Sequence, residues 1–379
     1  MKITYIANIR IPTEKAHGYA IMKMCEQFAK LGVSLDLIVP DRKNQLKEDP
    51  FSFYGIDEVF KIVKLKSADF LGRVRLLEKL FYWVDLMIFI LAVHLRIKKH
   101  HSGERIFYTR DFMILFVLPK KSRIFLELHT MPKSHFLFKR LIKRPNAIFV
   151  LNGEIKRELM DMGVSESKIF ILPSGVDIEE FDIAADKIEA RRKMHLPLDK
   201  KIAMYTGHLY SWKGIDTIIE VARQMKDVLF VFIGGIEPDI GRYRKITQGD
   251  SNIMFLPFIK RSGIPFYLKA ADVLLLPNSK KDDISVKYTS PLKVFEYMAA
   301  KRPIVCSDLP SVRQVLDEDM CVFAEPGNSE SFKLAIEKVL SDSFLADKLV
   351  ESAYDKVQKY SWEKRAEKIM DIIETKNIC

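Results

Sequence analysis

Residues 1–40 read MKITYIANIRIPTEKAHGYAIMKMCEQFAKLGVSLDLIVP. Lys2 to Ala7 is strand-like and Asn8 to Gly18 is a loop. Ile21, Met24, Cys25, Phe28 and Leu31 then recur at helical spacing as far as Gly32. Leu35, Leu37 and Val39 alternate as a second strand before Pro40. A strand, a helix of that length and another strand make a right-handed crossover between parallel neighbours, so the chain opens as a doubly wound α/β fold. Strand-like runs at Arg105 to Thr109, Ile124 to Glu127 and Ala147 to Leu151 continue that sheet. A second series at Lys201 to Thr206, Val228 to Ile233, Ile253 to Leu256, Val273 to Leu276, Pro303 to Cys306 and Cys321 to Ala324 supplies another.

The expected plan is two doubly wound, Rossmann-like α/β domains facing each other across a cleft. Residues 1–172 form the first and residues 173–200, with Pro173, Gly175 and Pro197, form a hinge. Residues 201–345 form the second, and residues 346–379 pack back toward the first. A length of 379 residues allows two or three domains at roughly 100–200 residues each, and 48% hydrophobic with 29% charged residues excludes a largely disordered chain. Four scattered cysteines, with no Cys-x-x-Cys pair, suit a reduced cytoplasm and exclude a disulfide scaffold. Met1 to Arg10 lacks the apolar run of a signal peptide, so export is not expected. Net charge is +11, and residues 61–144 alone hold 19 basic against 6 acidic side chains. That half is expected to meet an anionic surface or substrate.

The segment Thr289-Ser290-Pro291-Leu292-Lys293-Val294-Phe295-Glu296-Tyr297-Met298-Ala299-Ala300 reads as a helix capped by Thr289 or Ser290, with Pro291 where no amide hydrogen is needed. Free N–H groups of Leu292 and Lys293 would then meet a phosphate. Lys293 and Glu296, three apart, share one face, where a cation near phosphates and a carboxylate one turn deeper suit a nucleoside diphosphate. The plain alternative is a capped surface helix with a salt bridge. Thr206 to Asp216 follows a strand and precedes a helix, and Lys213 beside Gly214 can lie across a pyrophosphate at the carboxyl ends of the strands. Its alternative is a solvent-facing lysine at a helix start. Gly-x-Gly-x-x-Gly and Gly-x-Ser-x-Gly are both absent, which counts against a dehydrogenase or an α/β-hydrolase.

Taken together these segments resemble the retaining glycosyltransferases of family 4, the glycosyl transferases group 1, built on the two-domain fold called GT-B. The resemblance runs nearly end to end. It includes Gly18, His129 after a strand, Ile171 to Asp177, Gly207 to Gly214, Ala271 to Pro277 and Phe295 to Ala299. It implies a cytoplasmic hexosyltransferase-type enzyme, dependent on a nucleotide sugar, needing neither metal nor cofactor, that moves the sugar from a UDP- or GDP-linked donor to a glycan or lipid-linked acceptor in surface polysaccharide assembly. A leaving phosphate oxygen takes the acceptor proton on the same face. Carried over by position, Gly18 lets a backbone amide approach the donor phosphate and Lys213 binds the diphosphate. Ser290, Leu292 and Lys293 belong to the phosphate-binding helix start, Glu296 holds the ribose, Phe258 and Ile259 meet the base, and His129 sits near the reacting carbon. The chain departs from the pattern at His208, where the family has arginine, and at Tyr288, where it has glutamate. Lys293 would replace part of the missing charge. A sugar-nucleotide epimerase of the same fold, or a non-catalytic protein binding sugar nucleotide or nucleic acid, are the alternatives, nucleic acid being the less expected partner.

Leu80 to Leu95 is very apolar but contains Asp85 and His94 and falls short of the ~20 residues of a spanning helix. A buried core helix is the plain expectation. Arg73, Arg75, Lys79, Arg96, Lys98 and Lys99 around it, with Lys139, Arg140, Lys143 and Arg144, point in addition to peripheral, salt-sensitive contact with an anionic membrane at its inner face.

Overall fold

The computed structural model describes residues 1–67, 69, 78–100, 105–132, 135–288 and 292–376. The chain divides into two compact units, Met1–Pro173 with Trp362 onward, and Ser174–Ser361. The first unit holds β1 (Lys2–Ile6), β2 (Ser34–Asp41), β3 (Lys61–Lys66), β4 (Ile106–Thr109), β5 (Arg123–Leu128), β6 (Ala147–Val150) and β7 (Ile169–Ile171). The second holds β8 (Lys201–Thr206), β9 (Val228–Ile233), β10 (Ile253–Leu256), β11 (Val273–Leu276), β12 (Ile304–Ser307) and β13 (Val322–Ala324).

Strand order is β3-β2-β1-β4-β5-β6-β7 in the first sheet and β10-β9-β8-β11-β12-β13 in the second. Every pairing is parallel, as in Ile3↔Leu35 and Ile3↔Ile106, or Ala203↔Phe230 and Val273↔Ala203. Parallel strands need crossovers that cover both faces, which is why β4 and β9 are buried along their whole length. The order reverses beside β1 in one sheet and beside β8 in the other, the topological position at which open parallel sheets place their ligands.

Three differences from the sequence reading have physical causes. Residues 173–200 are not a free hinge: the helices Ile178–Phe181 and Lys187–Lys193 belong to the second unit, with Phe181, Ala190 and Leu196 in its core. Of residues 346–379, the helix Ser343–Val357 stays in the second unit through Ala353 and Val357, and the chain returns to the first unit only at Trp362. There the helix Trp362–Thr375 packs on Ala16–Lys30, with Trp362 edge-on to Tyr19 at 6.3 Å. The helix Glu78–His100 is not wholly buried; Phe89 and Val93 are inside while Leu91 and Leu95 are half exposed.

Asp272, buried before β11, ties Lys187–Lys193 to the second sheet. It accepts from Arg191 at 2.6 Å, Lys187 at 2.7 Å and the Ile202 amide at 2.7 Å. Burial alone would raise its pKa, yet these partners hold the carboxyl below its ordinary 3.8, so its stabilisation is present above that pH and lost as pH falls through it. Arg191→Met strands a buried carboxylate and is expected to cost about 3–5 kcal/mol in urea unfolding. Lys187→Ala, at a partly exposed pair, is expected to cost less than about 1 kcal/mol. Equal losses would contradict this account.

Candidate functional site

In the second unit the site is built on the carboxyl end of β8. Tyr297 Oη accepts from the Thr206 amide at 2.9 Å and lies 3.2 Å from Thr206 Oγ1, which latches the helix Leu292–Ala299 to that strand end. This sets Lys293 above Gly207. Gly207 has φ 127°, and a Cβ there would overlap the Lys293 ammonium, so only glycine lets the lysine lie across the strand end. Lys293 Nζ donates to Tyr205 Oη at 3.3 Å, and Tyr205 Oη in turn donates to the His208 carbonyl at 2.7 Å. Lys213 ends the short turn Ser211–Lys213, its ammonium 3.8 Å from the centroid of Trp212. A Cβ on Gly214 would strike the Pro277 carbonyl, and Ser279 N–H donates to the Trp212 carbonyl at 2.9 Å, so this turn is pressed against the end of β11.

Lys213 and Lys293 are thus brought together, as the sequence reading expected. Neither has an ion-pair partner among the described residues. Burial, then the charge of Lys293, holds Lys213 well below its ordinary pKa. Burial also brings Lys293 down to about 8 against the pull of Glu296. Two desolvated cations at the switch point, one lowering the pKa of the other, give this edge the charge to hold an anion.

Glu296 stands one turn from Lys293, but its Oε1 accepts from Arg261 Nη1 at 2.9 Å, and the same guanidinium holds Glu180 at 2.8 Å. Burial raises the Glu180 pKa, with Arg261 drawing it partly back. Sequence reasoning missed Arg261, because its partners lie 35 and 81 residues away. Phe258 is exposed after β10, while Ile259 packs on the core. Leu292 and Lys293 open their helix, so their amides have no partner within it. Ser290, with Thr289 and Pro291, lies outside the described residues. His208 stacks on Tyr210 with centroids 5.0 Å apart, and Tyr288 ends the turn Ile284–Tyr288.

In the first unit β5 carries a buried acid, Glu127, into a cluster at the carboxyl edge. Its Oε1 meets Arg365 Nη2 at 3.1 Å, Arg110 Nη2 at 3.1 Å and His129 Nε2 at 2.5 Å, and Tyr108 donates to Oε2. The Arg110 guanidinium also lies against the His129 ring. Burial would raise the Glu127 pKa, but Arg365, Arg110 and His129 hold it well below the usual carboxylate range. His129 follows β5 directly, with a third of its side chain exposed. Burial first and the Arg110 charge second bring its imidazole down to about 4, so it is neutral at neutral pH. Arg110, Glu127 and Arg365 were not foreseen, although an acid inside the apolar run Ile124 to Leu128 is a readable signal.

Gly18 has a packing explanation. A Cβ there would overlap the Tyr54 hydroxyl and Thr13, and that hydroxyl accepts from Thr13 N at 2.7 Å and donates to Thr13 O at 2.9 Å. The Gly18 amide itself donates to the Lys15 carbonyl at 2.9 Å.

Residues 186–356 match the sequence family described as glycosyl transferases group 1. The matched stretch lies within the second unit. Among its relatives, a processive diacylglycerol α-glucosyltransferase of Acholeplasma laidlawii is 29% identical over 54% of this chain and 60% of its own length. A phosphatidyl-myo-inositol mannosyltransferase of Mycobacterium tuberculosis is 26% identical over 54% of this chain and 53% of its own. The chain therefore spans between half and three fifths of these relatives. Sucrose-phosphate synthase from Thermosynechococcus elongatus superposes with a TM-score of 0.78 at 19% identity, covering 99% of this chain and 98% of that one. Anabaena HepE in complex with UDP-glucose gives 0.76 at 12% identity, over 99% of this chain and 100% of the other. These structural likenesses are of fold, and the fold is GT-B.

The depressed histidine has a consequence for stability. An unfolded chain protonates His129 near 6.5 and the folded one only near 4, so stability falls as pH drops through that window. In melting curves between pH 7 and pH 4, His129→Asn is expected to show a shallower fall than the parent. Parallel curves would mean that the ring titrates normally.

Proposed function

We propose that the chain is a retaining glycosyltransferase that moves a sugar from a nucleoside diphosphate to a glycan or lipid-linked acceptor in cell-surface polysaccharide or glycolipid synthesis. The observation that carries this reading is the pair Lys213 and Lys293, desolvated and without an ion pair among the described residues at the switch point of the second sheet. A departing diphosphate gains charge as the bond to the sugar breaks, and preorganised cations stabilise that charge more than the ground state. The amides of Leu292 and Lys293 add donors at the helix start. Two ammonium groups supply charge that a divalent cation would otherwise bring, so transfer is expected to persist in EDTA. Glu296, held by Arg261, is oriented to accept from ribose hydroxyls. His129, as a neutral ring, offers a hydrogen bond rather than a charge. The family match of residues 186–356 supports the transferase class, the two relatives named for lipid acceptors support a lipid-linked acceptor, and the UDP-glucose complex of HepE makes a UDP-linked donor the first to try.

A thermal-shift screen of UDP, GDP and their sugars finds the donor, because a ligand of the folded state raises apparent stability. With it, Lys213→Ala is expected to lower kcat by about two to three powers of ten. Glu296→Ala is expected to weaken binding as well as rate. Unchanged turnover and affinity in both variants sink the assignment, and release of an altered free sugar nucleotide without acceptor would mark an epimerase.

Lys293 adds a pH test. Its ammonium is lost as pH rises through about 8, so affinity for the nucleoside diphosphate is expected to decline across that range. Binding near pH 8 should take up a proton, which calorimetry in two buffers of different ionisation enthalpy reads directly. Lys293→Met should abolish the uptake; a persistent uptake would assign it elsewhere.

A further inference from the structure

The helix Glu78–His100 has two unlike faces. Leu86, Phe89, Ile90, Val93 and Ile97 are buried in the first unit, and Asp85 is fully buried with them. On the other side Leu80, Met87, Leu91 and Leu95 are each 56–57% exposed, with Trp83 at 48% and Ile88 at 37%. These positions recur at three- and four-residue intervals, so they make one continuous apolar stripe along the helix. Folded domains rarely leave such a patch bare unless it meets a partner.

We propose that this stripe is the face by which the protein lies on an anionic lipid surface, with the helix in the plane of the interface. Charge selects the occupant. Arg96, Lys98 and Lys99 close the carboxyl end of the helix, and residues 61–144 hold 19 basic against 6 acidic side chains, with Arg73, Arg75, Glu104 and Lys133 of that set outside the described residues. A two-fold dimer through the same stripe would set two such basic regions against each other. An anionic headgroup layer instead attracts them, at about 1 kcal/mol per lysine or arginine near the surface. Trp83 suits the headgroup depth, and Lys98 and Lys99 can extend their ends to water. A spanning arrangement is unfavourable, although the window Leu80–Lys99 is long and apolar enough to cross. The helix is the crossover between β3 and β4, packs against β3, and would have to pull the buried Asp85 from the protein into lipid.

The inference does not depend on the transferase reading, because vesicle binding is measured without donor or acceptor. The full chain is sedimented with vesicles of phosphatidylcholine alone and of phosphatidylcholine with one third phosphatidylglycerol, at low and at molar salt. Binding is expected only to the anionic vesicles at low salt, with a blue shift of Trp83 emission that Trp83→Phe removes. Met87→Glu with Leu91→Glu should lower binding at least tenfold while the melting temperature stays unchanged, since both side chains are exposed. Lys98→Glu with Lys99→Glu should lower it as well. Absence of anionic preference overturns the proposal, as does binding that survives Met87→Glu with Leu91→Glu. A dimer in light scattering that this pair dissociates, with no vesicle binding in the parent, would make the stripe a self-interface instead.

Discussion

Parallel pairing is the constraint from which the candidate sites follow. When every strand of a sheet runs the same way, all carboxyl ends fall on one edge, and the loops that leave them go to either face. Where the strand order reverses, two neighbouring loops part in opposite directions and expose the backbone between them. Lys213 and the Gly207 turn leave β8 at that place, and the loop after β11 lies beside them. In the first unit Arg110 follows β4 and His129 follows β5 on the corresponding edge. Chemistry-bearing residues scattered along the sequence thus meet because topology, not sequence proximity, gathers them.

The two edges handle charge in opposite ways. Glu127 is buried, and Arg110, Arg365 and His129 surround it, so its charge is compensated and the last helix is bound to the first sheet through Arg365. Removing Glu127 would leave the two guanidinium groups of Arg110 and Arg365 inside without their acid, which makes the cluster a determinant of the fold. Lys213 and Lys293 have no such ion pair among the described residues. Each is desolvated and its pKa falls, Lys213 being lowered further by the charge of Lys293 while Glu296 draws Lys293 partly back. A folded protein retains two neighbouring buried cations at a cost, which an anion beside them would offset.

Legibility in the sequence followed the physics of burial. Strands covered on both faces, such as Val228 to Ile233 and Val273 to Leu276, are uninterrupted apolar runs and were found where they are. β3, with lysines at both ends and in the middle of Lys61–Lys66, is an edge strand whose partial exposure hides it, and β7 is only three residues long. Short helices in an acidic stretch made 173–200 read as a hinge, because the burial of Phe181 and Ala190 depends on distant partners. Lys213, Lys293 and Glu296 were visible as local patterns. The grip of Arg261 on Glu296 was not, since nothing near Arg261 announces either carboxylate. The helix Glu78–His100 shows a different limit: a sequence apolar all round does not say which apolar side the protein itself will cover.

The second unit also leaves neutral polar groups unsatisfied near the edge where its lysines stand. Asn278, immediately after Pro277, is 1% exposed, and neither Oδ1 nor Nδ2 finds a partner among the described residues. Ser307 Oγ at the end of β12 and Ser285 Oγ in the turn Ile284–Tyr288 are in the same condition. At the opposite, amino end of β10 the Asn252 amide nitrogen donates to the carbonyls of Ala222, Met225 and Val228, although its Oδ1 is also unmet among the described residues. An unmet buried polar group costs about 1–3 kcal/mol, so these add to the cost of the two buried lysines at the same edge. Rigid packing elsewhere, the Asp272 cluster and the fully buried β9 among it, is what allows the edge to hold such groups in place.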